Sequence, residues 1–195
     1  MGDPQVERHP FEPFLPEGAK VLMLGSFPPQ RKRWSMEFYY PNFINDFWRI
    51  IGIIFFGNKD WFVDATAKRF KLQEIKEFCS KKGIAMFDTA VAVRRLKDNA
   101  SDKFLEVVEA TDIPALLRRI PDCRAVVVTG EKASATLCGT FGTEPPAVGE
   151  YSSFTFEGRP MRLYRMPSTS RAYPLPIQKK ADAYRRLFSD LRILN

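Results

Sequence analysis

The sequence contains a single histidine, His9, set in a proline-rich stretch near its start. One imidazole in that position argues against Ser-His-Asp catalysis and against a histidine-rich metal site. Cysteine is scarce too. Cys79, Cys123 and Cys138 are odd in number and far apart, with no C-x-x-C pair, which speaks against a disulfide framework and a cysteine-held cluster and for three buried thiols in a reducing compartment. No apolar run approaches the roughly 20 residues of a membrane span, and "MGDPQVERHP" lacks the basic-then-apolar order of a secretory leader. A soluble, cytoplasmic protein with no membrane partner is expected. The phosphate-cradling patterns G-x-x-x-x-G-K-[ST] and G-x-G-x-x-G are missing, as are internal repeats and low-complexity segments.

What is present suits one folded unit. A chain of 195 residues, 45% of them hydrophobic, can bury a substantial core. Pro4, Pro10, Pro13 and Pro16 mark residues 1 to 18 as an extended arm, without a motif, that wraps a surface or stays loose; residues 19 to 195 are read as a single domain and the protein as a monomer. The net charge of +7 suits a polyanionic partner, although a solvated basic face gives the same balance.

Short apolar runs alternate with helical periodicities. "AKVLMLG", "IAMFD", "CRAVVVTG" and "MRLYRM" read as strands buried on both faces, and "FTFEGRP" as a hairpin strand before the last of them. A helix is expected from Phe43, with Asn42 as N-cap and Phe47, Ile50, Ile51, Ile54 and Phe55 as its apolar stripe. "FKLQEIKEFCSKKG" and "EKASATLCGTF" read as helices, "SDKFLEVVEATDIPALLRRIP" as one or two more. In "PIQKKADAYRRLFSDLRIL", Ile177, Ala181, Tyr184, Phe188 and Leu191 face inward while Lys179, Lys180, Arg185 and Arg186 mostly point away. The order implies an α/β fold in three layers, α/β/α, around a central parallel sheet.

In such sheets ligands collect at the carboxyl ends of the strands, where "GSFPP", "FDTAVAV" and "MPSTSRAYP" begin. Ordinary turns and caps remain an alternative for all three. Asn42 and Asn45 can simply cap a helix, Asp88 can cap the next segment or pair with Arg94 or Arg95, and "STS" can form a Ser/Thr turn. Arg31, Lys32 and Arg33 can be a solvated charge run.

"LMLGSFPP", "YYPNFINDFW" and "MPSTS", in that order and with "IAMFDTAVAV" between them, resemble the uracil-DNA glycosylase superfamily, most closely its hypoxanthine-DNA glycosylase branch. The resemblance covers most of residues 20 to 175 and implies a four-stranded parallel sheet and excision of a damaged base from DNA, with no metal or cofactor. On that basis Asn45 is the candidate for orienting water, and Ser26 with the backbone amides from Gly25 onward for donating to the base. Phe27 or Tyr40 would stack on the flipped ring, and Asp88 would read its edge. An ionised carboxylate only accepts, so Asp88 suits a ring N–H of hypoxanthine or uracil. Ser168, Thr169 and Ser170 would bond phosphates, Arg171 or Tyr173 would fill the gap in the stack, and Arg31, Lys32 and Arg33 would extend the phosphate track. The sequence departs from the family in three places. The first loop lacks the Asp or Asn of vigorous uracil-cleaving members, Asn42 and Phe43 replace a His-Pro pair, and Met166 stands where many relatives have His or Asn. A nonenzymatic lesion-binding module on the same fold, or a small nucleobase site, are the rival readings.

Overall fold

The computed structural model describes residues 5–96 and 104–194. The first four residues of the arm and residues 101–103 of the segment expected to be helical lie outside these.

The core of the molecule is a five-stranded sheet, while β3 (Val63–Asp64) and β4 (Arg69–Phe70) form a separate short ribbon; the order in the sheet is β5 (Ile84–Asp88), β2 (Val21–Gly25), β8 (Ala125–Thr129), β10 (Arg159–Met166), β9 (Tyr151–Phe156). β2, β5, β8 and β10 are the parallel strands expected; β9 adds a fifth, antiparallel to β10, from the "FTFEGRP" hairpin. The first four residues of β2 are fully enclosed, which is why its sequence is a continuous apolar run rather than an alternation. β9 and β10 do alternate, as an edge hairpin should, with Phe154, Phe156, Met161 and Leu163 buried.

Helices pack on this sheet in the expected layers. α1 (Phe47–Phe56), α2 (Leu72–Lys82) and α5 (Ile177–Asp190) meet through Phe55, whose ring lies 4.9 Å from Phe78 and 5.2 Å from Phe188. α4 (Glu131–Phe141) stacks Phe141 on Phe154 of β9. α2 ends at Gly83, which takes the left-handed conformation (φ 69°), and a Cβ there would come 2.8 Å from the carbonyl of Gly18. All three cysteines are buried and free, and burial raises their thiol pKa values, that of Cys123 to about 11.

Four expectations are corrected. The first concerns α1, which begins at Phe47 and not at Phe43. Asn45 Oδ1 accepts the Phe47 N–H at 2.8 Å and the Asp46 N–H donates to Thr169 O at 3.0 Å, so local and tertiary bonds hold residues 43–46 out of the helix. Asn42 is therefore no cap; its Oδ1 accepts from Ile44 N–H in an Asx turn.

The second and third concern a sheet that the sequence did not announce. "TAVAVRR" is not loop but carries β6 (Ala90–Arg95), and "LEVVEA" is not helix but β7 (Leu105–Ala110); with β1 (Val6–Arg8) they form an antiparallel sheet ordered β1-β6-β7. In the second case the ladder to β6, with Val107 opposite Val93 and Glu106 opposite Arg94, holds the segment extended against the helical propensity of Leu and Glu. Among the described residues of that segment, α3 (Ile113–Arg119), capped by Asp112, is the α-helix. The described part of the arm wraps the surface: β1 pairs with β6, Phe14 exchanges backbone bonds with Met86, and Phe11, Phe14 and Leu15 pack on the core.

The fourth correction is Lys180, which does not point away but is 1% exposed beneath the loop after β10. No helix among the described residues is long and apolar enough to cross a membrane.

Candidate functional site

β2 and β5 run in register to a shared end, where Gly25 is the ladder partner of Asp88. A pocket of about 630 Å³ opens there, of the size that small-ligand sites have. Its lining brings together four parts of the chain, "GSFPP", the Tyr40–Asn45 turn, Asp88 and the Ser168–Arg171 loop. A larger groove of about 990 Å³ lies at the amino ends of the strands beside Lys20, Arg124 and Arg162, and none of the sequence motifs reaches it.

Asp88 forms the floor. Its backbone carbonyl accepts from Thr111 Oγ1 at 2.6 Å, and the next residue, Thr89, donates its N–H to Gly25 O at 2.8 Å. The carboxylate leans over the Cα of Gly25 so closely that an ideal Cβ would lie 2.3 Å from Oδ1. Only glycine permits that approach. The partner of Asp88 is neither Arg94 nor Arg95, as the sequence suggested, because Arg95 pairs with Glu7 at 3.0 Å and also donates to Pro28 O. It is His9, whose Nε2 lies 2.8 Å from Oδ2. The imidazole is 4% exposed and ringed by Phe11, Phe27, Tyr39 and Phe87. Tyr39 donates to Glu12 O at 2.7 Å, and burial, with Asp88 and Glu12 nearby, raises its pKa far above the ordinary phenol value.

One wall is aromatic. Tyr40 holds a left-handed backbone (φ 52°) and stacks face to face on Phe47, with centroids 3.9 Å apart and planes 10° from parallel. A non-glycine residue in that region costs on the order of 1–3 kcal/mol, which the surrounding packing must offset. Phe27 also lines the pocket, but its ring is buried in a small cluster with Ala90 and Val93 and meets His9 edge-on. Asn45 lines the pocket from the turn before α1, its Oδ1 already accepting one bond from Phe47. Arg49, buried, braces that turn by donating to Phe43 O at 2.7 Å and Asn45 O at 3.2 Å.

The opposite wall is "MPSTSR". Ser168 Oγ accepts from Ser170 N–H and Ser170 Oγ from Ala172 N–H, so the Ser/Thr turn of the alternative reading is real, yet both residues also line the pocket. Support comes from below. Tyr184 donates to Pro167 O at 3.0 Å, Lys180 Nζ donates to Ser170 O at 2.7 Å, and Asp46 accepts from Arg171 at 2.9 Å with Lys180 at 3.9 Å. Burial lowers the Lys180 pKa, Asp46 opposing the shift and Arg171 adding to it. Arg31, Lys32 and Arg33 form one short helical turn, of which only Arg33 reaches the pocket; Arg31 pairs with Glu37 and lies over Trp34.

His9, Asp46 and Lys180, which brace lining residues, are not among the sequence candidates, and Arg95, weighed there only as a partner of Asp88, lines the pocket. The only signal for His9 was its being the sole histidine, and it was discounted for lying in a proline-rich arm. Ser26, Gly25, Phe27, Tyr40, Asp88, Asn45, Ser168, Thr169, Ser170, Arg171 and Arg33 do converge, and Arg31 and Lys32 stand beside the rim.

The fold is α/β with a parallel-rich sheet and a pocket at the carboxyl ends of β2, β5 and β10. It is the uracil-DNA glycosylase-like fold, shared with a solution NMR structure from Methanosarcina acetivorans provisionally described as a uracil DNA glycosylase, at a TM-score of 0.63 and 22% identity over 96% of this chain and 99% of that one. In sequence the chain is similar to the hypoxanthine DNA glycosylase of the same organism, 28% identical over 123 residues, which are 63% of this chain and 71% of that protein. No family model matches. Both likenesses bear out the resemblance read from the three motifs.

Proposed function

We propose that the protein is a monofunctional DNA glycosylase that hydrolyses the N-glycosidic bond of a deaminated base, hypoxanthine or uracil, turned out of DNA into this pocket. The observation that carries the reading is Asp88, a buried carboxylate held at the floor of a pocket with an aromatic wall and a hydroxyl-bearing loop at its rim. A base can reach such a floor only when it has left the stack. There the carboxylate accepts a ring N–H, which hypoxanthine offers at N1 and uracil at N3. The named activity of the M. acetivorans relative supports the same substrate class.

As the C1′–N bond breaks, its electron pair leaves with the base and the sugar takes on oxocarbenium character. A water then bonds to C1′ and gives up a proton, which neutralises the departed base anion. The second lone pair of Asn45 Oδ1 can orient that water, while Ser26 and the amides at the end of β2 donate to the base as it gains charge. Tyr40 stacks on the ring. Ser168, Thr169 and Ser170, with Arg171 and the Arg31–Arg33 turn, hold the flanking phosphates. The scheme calls on no cofactor.

Incubation with oligonucleotides bearing a single hypoxanthine, uracil, xanthine or G·T mismatch tests the reading through alkali-labile sites. Excision of hypoxanthine or uracil is expected, with loss on Asn45→Ala. DNA binding without excision of any base would favour a lesion-binding module instead, a reading to which the lack of an acid or amide in "GSFPP" gives weight.

A further inference from the structure

We propose that His9 is a positioning residue of the base pocket, and that the amino-terminal segment from β1 to Phe14 is thereby part of the site. The inference rests on the glycosylase reading and adds to it the device that orients Asp88.

With Asp88 ionised, the geometry leaves one donor at the contact. His9 Nδ1 lies 3.1 Å from the Phe11 amide nitrogen and 2.9 Å from the Phe11 carbonyl oxygen. If Nδ1 accepts from the amide, the imidazole is neutral with its proton on Nε2. If Nδ1 donates to the carbonyl, Nε2 must also carry a proton, because a bare Nε2 would set its lone pair against Asp88 Oδ2 at 2.8 Å. In both states Nε2–H donates to Asp88. Oδ2 is thus engaged, the carboxylate cannot rotate, and Oδ1 is the oxygen left over Gly25 beside the pocket. The result is an acceptor of fixed direction, suited to one ring N–H.

The segment is secured well enough to serve. β1 pairs with β6 in register, the His9 N–H continues that ladder to Val91 O at 2.8 Å, and Phe14 bridges to Met86 of β5. The segment around His9 is therefore tied by backbone to β5, which ends at Asp88, and to β6, which follows it. Four aromatic rings around the imidazole exclude water from the 2.8 Å contact, which strengthens it and fixes the ring plane.

His9 is the only histidine in the chain, so its ring nitrogens can be read without assignment. In the full-length protein labelled with ¹⁵N-histidine, a slowly exchanging Nε2–H is expected that is lost in Asp88→Ala. A ring proton exchanging as in an exposed histidine would overturn the proposal, whatever the protein does to DNA. On hypoxanthine or uracil substrates at saturating enzyme, His9→Phe should slow excision about 10-fold or more, the cost of a misaligned group. His9→Gln, whose amide can donate in place of Nε2, should recover most of the rate, and His9→Phe should cost nothing further in an Asp88→Ala background. Wild-type rates in His9→Phe, or additive losses, would overturn the inference. A wild-type protein that excises no base would instead overturn the glycosylase reading, and the spectrum alone would then decide the His9–Asp88 pair.

Discussion

Gly25 and Asp88 share a ladder position at the carboxyl ends of adjacent strands, and the carboxylate of the second occupies the space that a side chain on the first would need. Gly25→Ala is accordingly expected to push Asp88 off its bond to His9. A buried carboxylate without its partner costs about 1–3 kcal/mol, so chemical denaturation should show a loss of that order, and excision should fall together with it. An unchanged stability would mean that Asp88 can swing aside freely.

Asp88→Asn keeps the shape of the floor but adds a donor. The amide can meet a carbonyl next to the ring N–H, whereas the carboxylate repels it. Relative rates on hypoxanthine and uracil should therefore change, by about 10-fold for a hydrogen-bond difference of 1.4 kcal/mol. Parallel competition assays on the two lesions in one sequence context would measure it, and an unaltered ratio would remove Asp88 from base reading.

Arg171 and Asp46 make a pair whose arginine is half exposed. Such pairs contribute about 0–1 kcal/mol to folding, so Arg171→Ala should hardly move the denaturation midpoint. If the arginine meets a phosphate, its removal should weaken DNA binding and lower the salt slope by about 1. Titrations at several salt concentrations separate these effects.

Lys180 supplies the pH prediction. Its pKa in the fold is lowered by burial from the ordinary 10.5, so over the interval between the two values the unfolded chain binds more proton than the native one. Stability attributable to this residue therefore rises as pH climbs through the lowered value, is complete above 10.5, and is lost as pH falls. Lys180→Met should flatten that rise when denaturation midpoints are followed from neutral to alkaline pH. At neutral pH it also removes the donor to Ser170 O, loosening the "MPSTS" loop and slowing excision.

Periodicity located the strands that make the core and the helices α2, α4 and α5, because an element buried on one or both faces writes that burial into its own spacing. It failed where the deciding partner is distant. "LEVVEA" carries no alternation that outweighs its helix formers; the β6 ladder beside it makes it a strand. Lys180 lies on a polar stretch of its helix, and Asp46 with the Ser170 carbonyl draws it inward.

The site divides in the same way. The parallel sheet directs attention to the carboxyl ends of its strands, and the resemblance of "GSFPP", "YYPNFIN", "IAMFD" and "MPSTS" to the glycosylase motifs nominates Gly25, Tyr40, Asn45, Asp88 and Ser168–Arg171, which the fold brings to one pocket. His9 was beyond that reasoning. It stands 79 positions from Asp88, in a segment whose own pattern shows only prolines, and a hydrogen bond between side chains leaves no periodic trace in either stretch. Only the closing of the arm along β6 and β5 brings the one imidazole of the chain to the carboxylate beneath the pocket.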